Sequence, residues 1–305
     1  MAASNLDVVT GAFGYTGKYI AERLLSMGRK VRTITGHPDR PDPFGGRVEA
    51  FPFNFDNPSK LVESLKDAAT LYNTYWIRFD HEGITFDKAV ENTKILIKAA
   101  EDAGIKRIVH ISITNPSEDS YLPYFRGKGI LEKAIINSRL SYAIIRPTVT
   151  FGLEDILINN IVWLLRKFPV FAIPGTGEYK LQPVFAGDVA DIAVNAGQKD
   201  SNLIIDAVGP EIYTFEELVK LIAKNIHSKA RIVYAPRRMA LSISKIIGYV
   251  ENDVLLTRDE IEGLMANLLI SDKPATGKIR FSDWFSENAD KIGTRYSSEL
   301  KRHYR

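Results

Sequence analysis

Apolar and polar positions follow two periods along the first half of the chain, and the periods take turns. Leu6-Asp7-Val8-Val9-Thr10 is a short apolar run of strand length. Tyr15 to Met27 then places Ile20, Leu24 and Met27 on one helical stripe, and Gly28 ends it. The exchange recurs. Strands are predicted at Val31 to Thr35, Arg47 to Phe51, Thr70 to Thr74, Arg107 to Ser112 and Tyr142 to Arg146. Helices are predicted at Pro58 to Lys66, with proline near the start, at Phe86 to Ala103, closed by Gly104, and around Phe125 to Ser138. Strands separated by helices need right-handed crossovers, which produce a parallel sheet covered on both faces. The expected class is α/β, a Rossmann-type doubly wound sheet. Periodicity does not set the strand order.

The second half is less regular. Asp155 to Lys167, Asp188 to Gly197 and Phe215 to His227 read as helices, the last with Thr214 and Glu217 as a capping box. Leu203 to Val208 and Arg231 to Tyr234 read as strands, and helical patterns dominate from Met239 onward. Residues 1–152 are therefore expected to form the Rossmann domain, with a return segment near 183–208. Residues 153–305 form a smaller, mostly helical lobe interleaved with it. Arg237-Arg238 followed by the apolar run Ala240 to Ile247 is read as core packing of that lobe, with an interfacial membrane helix as the alternative. Phe281, Trp284 and Phe285 read as a core cluster.

Composition narrows the functional classes. The 305 residues are 45% hydrophobic and 25% charged, with a net charge of +3 and no cysteine. So small and scattered an excess of charge argues against a nucleic-acid partner. A chain without cysteine fits a reducing compartment, and a cytoplasmic, soluble protein is expected. The most apolar stretch, Ile156 to Ile173, is interrupted by Arg166, Lys167 and Pro169, which argues against a transmembrane segment. The five histidines have no metal-ligand spacing, so no metal site is expected. Oligomeric state is open, a homo-oligomer included.

Chemistry first appears where the opening strand meets the opening helix. Gly11-Ala12-Phe13-Gly14-Tyr15-Thr16-Gly17 has glycines at G-x-x-G-x-x-G spacing. Glycine allows a tight turn and close backbone approach, and the helix that follows presents N–H groups and the positive end of its dipole. That combination suits a pyrophosphate, hence a dinucleotide; a glycine-rich turn without a ligand is the plain alternative. A carboxylate at the end of the second strand would favour NAD(H). The sequence there is Thr35-Gly36-His37-Pro38-Asp39-Arg40. His37 and Arg40 are candidates for a 2′-phosphate, so NADP(H) is favoured over NAD(H).

Tyr124 and Lys128 stand four apart, on one face if helical. A nearby ammonium lowers a phenol's pKa and fits it for proton exchange while hydride moves. The fifth strand ends in Ser112-Ile113-Thr114, and strand ends of a parallel sheet face the ligand crevice, so Thr114, the tyrosine pair and the glycine turn are expected to converge.

In this order the residues resemble the short-chain dehydrogenase/reductase superfamily, in its extended or atypical branch. The resemblance spans roughly residues 5 to 190. It rests on Thr10-Gly11, Gly14, Gly17, Asn92, Ser112, Thr114, Tyr124, Lys128 and Arg146-Pro147-Thr148, with Val184 to Ala190 like the branch's return segment. It implies Tyr124 as acid/base, Lys128 on the nicotinamide ribose, Thr114 on the substrate oxygen and Asn92 as support for the active-site strand or a proton relay. It further implies cofactor contacts at Phe13, Tyr15, Thr16, Asn54, Phe55, Thr74, Tyr75, Pro147 and Thr148. The implied activity is that of an NAD(P)-dependent oxidoreductase or epimerase/dehydratase acting on a small molecule, with an apolar one suggested by the lobe's helices. Three features depart from the pattern: a short interval from Thr114 to Tyr124, bulky Tyr75-Trp76 in place of small residues, and Gly36 where NADP-preferring members often carry arginine. The likeness extends to NmrA-like proteins and the nucleotide-binding accessory subunit of respiratory complex I. Some members of that group bind a dinucleotide without turnover, so a sensor or accessory subunit is the alternative.

Overall fold

A computed structural model describes residues 4–304 of the chain. Its elements follow in chain order. The first part runs β1 (Leu6–Thr10), α1 (Tyr15–Ser26), β2 (Lys30–Thr35), β3 (Val48–Pro52), α2 (Pro58–Leu65), β4 (Thr70–Asn73), α3 (Phe86–Asp102), β5 (Arg107–Ile111), α4 (Pro123–Ile136) and β6 (Ser141–Pro147). It continues β7 (Val149–Phe151), α5 (Leu157–Lys167), β8 (Val170–Pro174), β9 (Lys180–Leu181), β10 (Pro183–Phe185), α6 (Ala186–Gly197) and β11 (Leu203–Ala207). The remainder is β12 (Tyr213–Thr214), α7 (Phe215–Asn225), β13 (Arg231–Ala235), α8 (Arg237–Glu251), α9 (Arg258–Met265), α10 (Phe281–Asn288) and α11 (Glu299–His303).

Contacts divide the chain into two compact units: Met1–Pro147 with Val189–Asp206, and Thr148–Asp188 with Ala207–Arg305. The first unit is built on a seven-stranded sheet of order β11-β6-β5-β4-β1-β2-β3. Strands β1 to β6 pair in parallel, with registers such as Val9↔Thr33, Val9↔Tyr72 and Val109↔Ala143. This is the doubly wound order, reversing between β1 and β4. The core beneath it joins Val8, Ile34 and Leu71 from the strands to Leu61 and Leu65 of α2 and Leu96 of α3. These helices present apolar residues three and four apart, as a face against a sheet requires. Their starts are fixed locally: the Asn57 side chain caps α2 and the Thr85 side chain caps α3.

The second unit has three two-stranded sheets, β10-β7, β12-β9 and β13-β8. Val170–Pro174 is a strand the sequence pattern did not reveal; it pairs in parallel with β13, Phe171 opposite Ile232. Phe281 and Phe285 are fully buried beside Phe151, with Trp284 packed against the same cluster, as expected. The capping box of Thr214 and Glu217 is formed. Among the described residues no helix is long and apolar enough to cross a membrane.

Helix α8 overturns an expectation. Its apolar positions do not all pack inward: Ala240, Ser244 and Gly248 are buried, whereas Met239, Ile243, Ile246, Tyr249 and Val250 are exposed. The small residues occupy the side that must fit closely. A Cβ added at Gly248 would fall 2.5 Å from the carbonyl oxygen of Asp253.

Candidate functional site

The glycine turn joins β1 to α1, and each glycine has a steric reason. Gly11 has φ +63°, in the left-handed region that glycine adopts without strain. The Gly14 N–H donates to the Gly11 carbonyl at 2.8 Å. A Cβ on Gly17 would fall 2.2 Å from that same oxygen, which no backbone could tolerate. No side chain caps α1 and its first turn holds no acid, so the positive end of its dipole meets the turn unopposed. This is a cradle for an anion.

Buried hydroxyls lock the cradle from behind. Thr33 of β2 accepts from the Ala12 N–H at 2.9 Å and donates to the Val9 carbonyl at 2.8 Å. Thr10 donates to the Asn73 side chain at 3.1 Å and accepts from the N–H groups of Thr74 and Tyr75 at 2.7 and 3.0 Å. Thr74 returns its hydroxyl to the Thr10 carbonyl. Thr10 and Thr74 are thus holding the ends of β1 and β4 together. Thr33 was missed in the sequence; its signal was a polar residue at a buried strand position.

The other predicted cofactor contacts sit in local packing of their own. Phe13 packs on Phe44 at 6.5 Å, and Tyr15 meets Tyr19 edge-on at 5.8 Å. Thr16 lies in the first turn of α1, half-buried. Asn54 takes φ +47° and donates its side-chain amide to the Pro52 carbonyl. Phe55 stacks on Phe53 at 4.8 Å, and both meet Tyr75 near 5 Å. At the end of β2, Gly36 is exposed and no carboxylate occupies the strand end; the His37 N–H donates to the Thr35 hydroxyl oxygen at 3.2 Å, and the Arg40 N–H donates to the His37 carbonyl.

The tyrosine–lysine pair is where the structure says most. Tyr124 and Lys128 both lie on α4, as predicted, but an aromatic residue stands over them. Tyr124 is held edge-on between Trp76, at 5.7 Å, and Phe86, at 6.0 Å. The Lys128 ammonium nitrogen lies 4.7 Å from the centre of the Trp76 ring and donates to the Ile111 carbonyl at 2.7 Å. Lys128 is only 2% exposed. Burial pushes its pKa down to about 7, with Glu132 opposing the shift. Trp76 reaches this position across Gly127: a Cβ there would meet the indole at 2.6 Å. The indole N–H is itself buried with no hydrogen-bond partner.

Asn92 of α3 donates its side-chain amide to the Tyr75 phenol at 2.9 Å. It therefore fixes the residue next to Trp76. Burial raises the Tyr75 pKa, and the Asn92 hydrogen bond opposes that. Thr114 is fully buried, its N–H on the Pro147 carbonyl at 3.0 Å, which ties the end of β5 to the end of β6. Thr148 belongs to the second unit, where its hydroxyl donates to the Gln182 carbonyl. A buried network beneath Lys128 was not foreseen: Ser112 donates to Glu132, which Arg146 grips through Nε at 3.0 Å and through Nη2. Beside it, His110 shares a 3.0 Å hydrogen bond with Asn73, and burial holds it well below the usual imidazole range.

Residues 11–153 match the NAD(P)H-binding family model. That segment makes up most of the first unit, which is similar to NAD(P)H-binding domains. The chain is 26% identical, over 87% of its length and 70% of the relative's, to a mitochondrial NADH dehydrogenase [ubiquinone] 1 alpha subcomplex subunit 9 of Arabidopsis thaliana. It is 26% identical to a photosystem II assembly factor of Guillardia theta, over 80% and 77% of the two chains. Among solved structures, the Citrobacter sp. triphenylmethane reductase complexed with NADP(H) is similar with TM-score 0.73 and 18% identity, covering 93% of this chain and 99% of that one. The glycine cradle lies at the start of the matched segment. Lys128, which the family resemblance assigns to the nicotinamide ribose, is instead covered by Trp76.

Proposed function

We propose that this chain binds NADP(H) as a resident or sensed nucleotide and, with Trp76 in the position described, turns over no substrate. One observation carries the reading: the ammonium of Lys128 is buried under the Trp76 ring and spends a hydrogen bond on the Ile111 carbonyl. An acid/base tyrosine needs a cation beside it to lower its pKa. With a pKa of about 7, Lys128 is only partly charged at neutrality, so it gives Tyr124 a weakened field. The absence of a carboxylate at the end of β2, with His37 and Arg40 nearby, supports the 2′-phosphate preference. Relatives named as a complex I subunit and as an assembly factor support an accessory role. A reducing, cytoplasmic setting belongs to this reading, supported by a chain without cysteine.

The second reading is an NAD(P)-dependent oxidoreductase or epimerase acting on a small, apolar molecule. The retained Tyr124 and Lys128 on one face of α4 favour it. In that case Trp76 swings away, Lys128 regains full charge, and Tyr124 passes its proton to the substrate oxygen.

Calorimetry with NADPH and with 2′-phospho-ADP-ribose, which keeps the pyrophosphate and lacks only the nicotinamide, separates the two. For the accessory reading, the wild-type protein binds both with similar affinity, because the nicotinamide half meets closed structure. Trp76→Ala then gains affinity for NADPH alone. A wild-type preference for NADPH of about tenfold or more, equal to about 1.4 kcal/mol, sinks the reading.

A further inference from the structure

Helix α8 has an outward face that helix stability does not account for. Met239, Ile243, Ile246 and Val250 stand at spacings of four, three and four, so they form one stripe. Ile246 is 66% exposed, Val250 73% and the adjoining Tyr249 89%. Large apolar side chains scattered singly on a surface are ordinary, but five on one helix face form a patch of the kind that meets a partner.

The charges around the stripe say which kind. Within α8 the cations are Arg237, Arg238 and Lys245, and its one acid, Glu251, is the last residue. Arg237 and Arg238 open α8, where the positive end of the helix dipole disfavours cations, and the first turn holds no acid. Among the described residues, Arg237, Arg238 and Lys245 take part in no ion pair. On the helical wheel Arg238 and Lys245 border the apolar stripe. Three unpaired cations, two of them where the helix itself disfavours them, complement an external anionic surface.

We infer that α8 is a docking helix for an anionic lipid bilayer, lying in the interface with Met239, Ile243, Ile246 and Val250 in the acyl boundary and Arg238 and Lys245 at the phosphates. An amphipathic helix with an apolar face, basic flanks and an aromatic residue at the edge has this mode of binding. Tyr249 places a ring with a polar tip at headgroup depth. The opposite side of α8 is anchored: Ser244 donates to the Leu256 carbonyl, and the Asp253 N–H donates to the Gly248 carbonyl at 2.8 Å. The helix is therefore already formed, and binding bears no cost of folding it.

The test is sedimentation of the full chain with vesicles of phosphatidylcholine alone and of phosphatidylcholine with phosphatidylserine. The wild type is expected to pellet with the anionic vesicles, to stay in solution with the neutral ones, and to release as salt is raised. Ile246→Glu with Val250→Glu abolishes pelleting. Arg238→Ala with Lys245→Ala weakens it by on the order of tenfold or more, since each cation near an anionic surface adds about fivefold. Circular dichroism melting checks that the exposed substitutions leave the fold intact. No pelleting with anionic vesicles overturns the proposal. So does a wild-type dimer that Ile246→Glu with Val250→Glu converts to a monomer, since a second copy would then cover the stripe.

Discussion

Lys128 is a lysine taken almost wholly out of water. Its ordinary value is 10.5, and burial brings it to about 7. Below about pH 7 both folded and unfolded chains hold the proton, and the folded chain bears the full cost of a buried charge. Between about 7 and 10.5 the unfolded chain keeps the proton and the folded chain gives it up, so stability from this group rises with pH. Lys128→Met, with an unbranched apolar chain in the same slot, is expected to be more stable than wild type in urea unfolding at about pH 6, with the gap closing toward about pH 9. A gap that stays constant or widens with pH would show that Lys128 titrates normally. Trp76 is the other decisive residue here. Both were visible in the sequence, Lys128 by its spacing from Tyr124 and Trp76 as a bulky departure. Their contact was not, because it depends on Gly127 presenting a bare patch of helix to a loop residue 51 positions earlier in the chain.

At the scale of elements, the β1–α1 junction is the part most fully written in the sequence. Glycine spacing, strand period and helix period all point to one turn, and the helix and strand ends fall within a residue or two of expectation. Gly17→Ala sets a Cβ against the Gly11 carbonyl, and Gly14→Ala sets one 3.2 Å from the same oxygen. Overpacking of this kind costs about 1–3 kcal/mol. Gly17→Ala is expected to lower stability within that range and to remove NADPH binding, with Gly14→Ala milder on both counts; denaturant unfolding and calorimetry read the two effects. A Gly17→Ala protein that binds NADPH like wild type would separate the cradle from the nucleotide. The short strands β7 to β10 and β12 were not legible. Two to five residues carry too little periodicity, and their pairing partners lie elsewhere in the second unit, so nothing local marks them. Helix α8 was legible as a helix but not as to which side faces water, because its buried side is built of Ala240, Ser244 and Gly248 rather than of large apolar residues.

For the whole molecule, nucleotide binding is measurable as stability. A ligand that binds only the folded chain adds about 2.7 kcal/mol at a concentration one hundred times its dissociation constant. Thermal melts with NADPH, NADP, NADH and NAD in parallel are expected to rise most for the two phosphorylated forms. A larger rise with NADH and NAD would reverse the preference read from Gly36, His37 and Arg40. Negligible shifts with all four would leave the cradle without its ligand.

The sheet of the first unit also sets an order of events during synthesis. Its edge strand β11 is made only after the segment Thr148–Asp188 of the second unit has been translated. Until then β6 is an open edge, ready to pair with another nascent chain. Arg107 at the start of β5 waits as well: buried in the finished protein, its guanidinium donates to the carbonyls of Ala196 and Ser201, which lie 89 and 94 positions later in the chain. At about 5–20 residues per second, ribosomal elongation leaves that cation without those acceptors for roughly 4–20 s. A gene fragment cut after Pro147 would make the exposure permanent. The nucleotide-binding half is thus a unit in space but not in time, and the ribosome must finish about two thirds of the message before it can close.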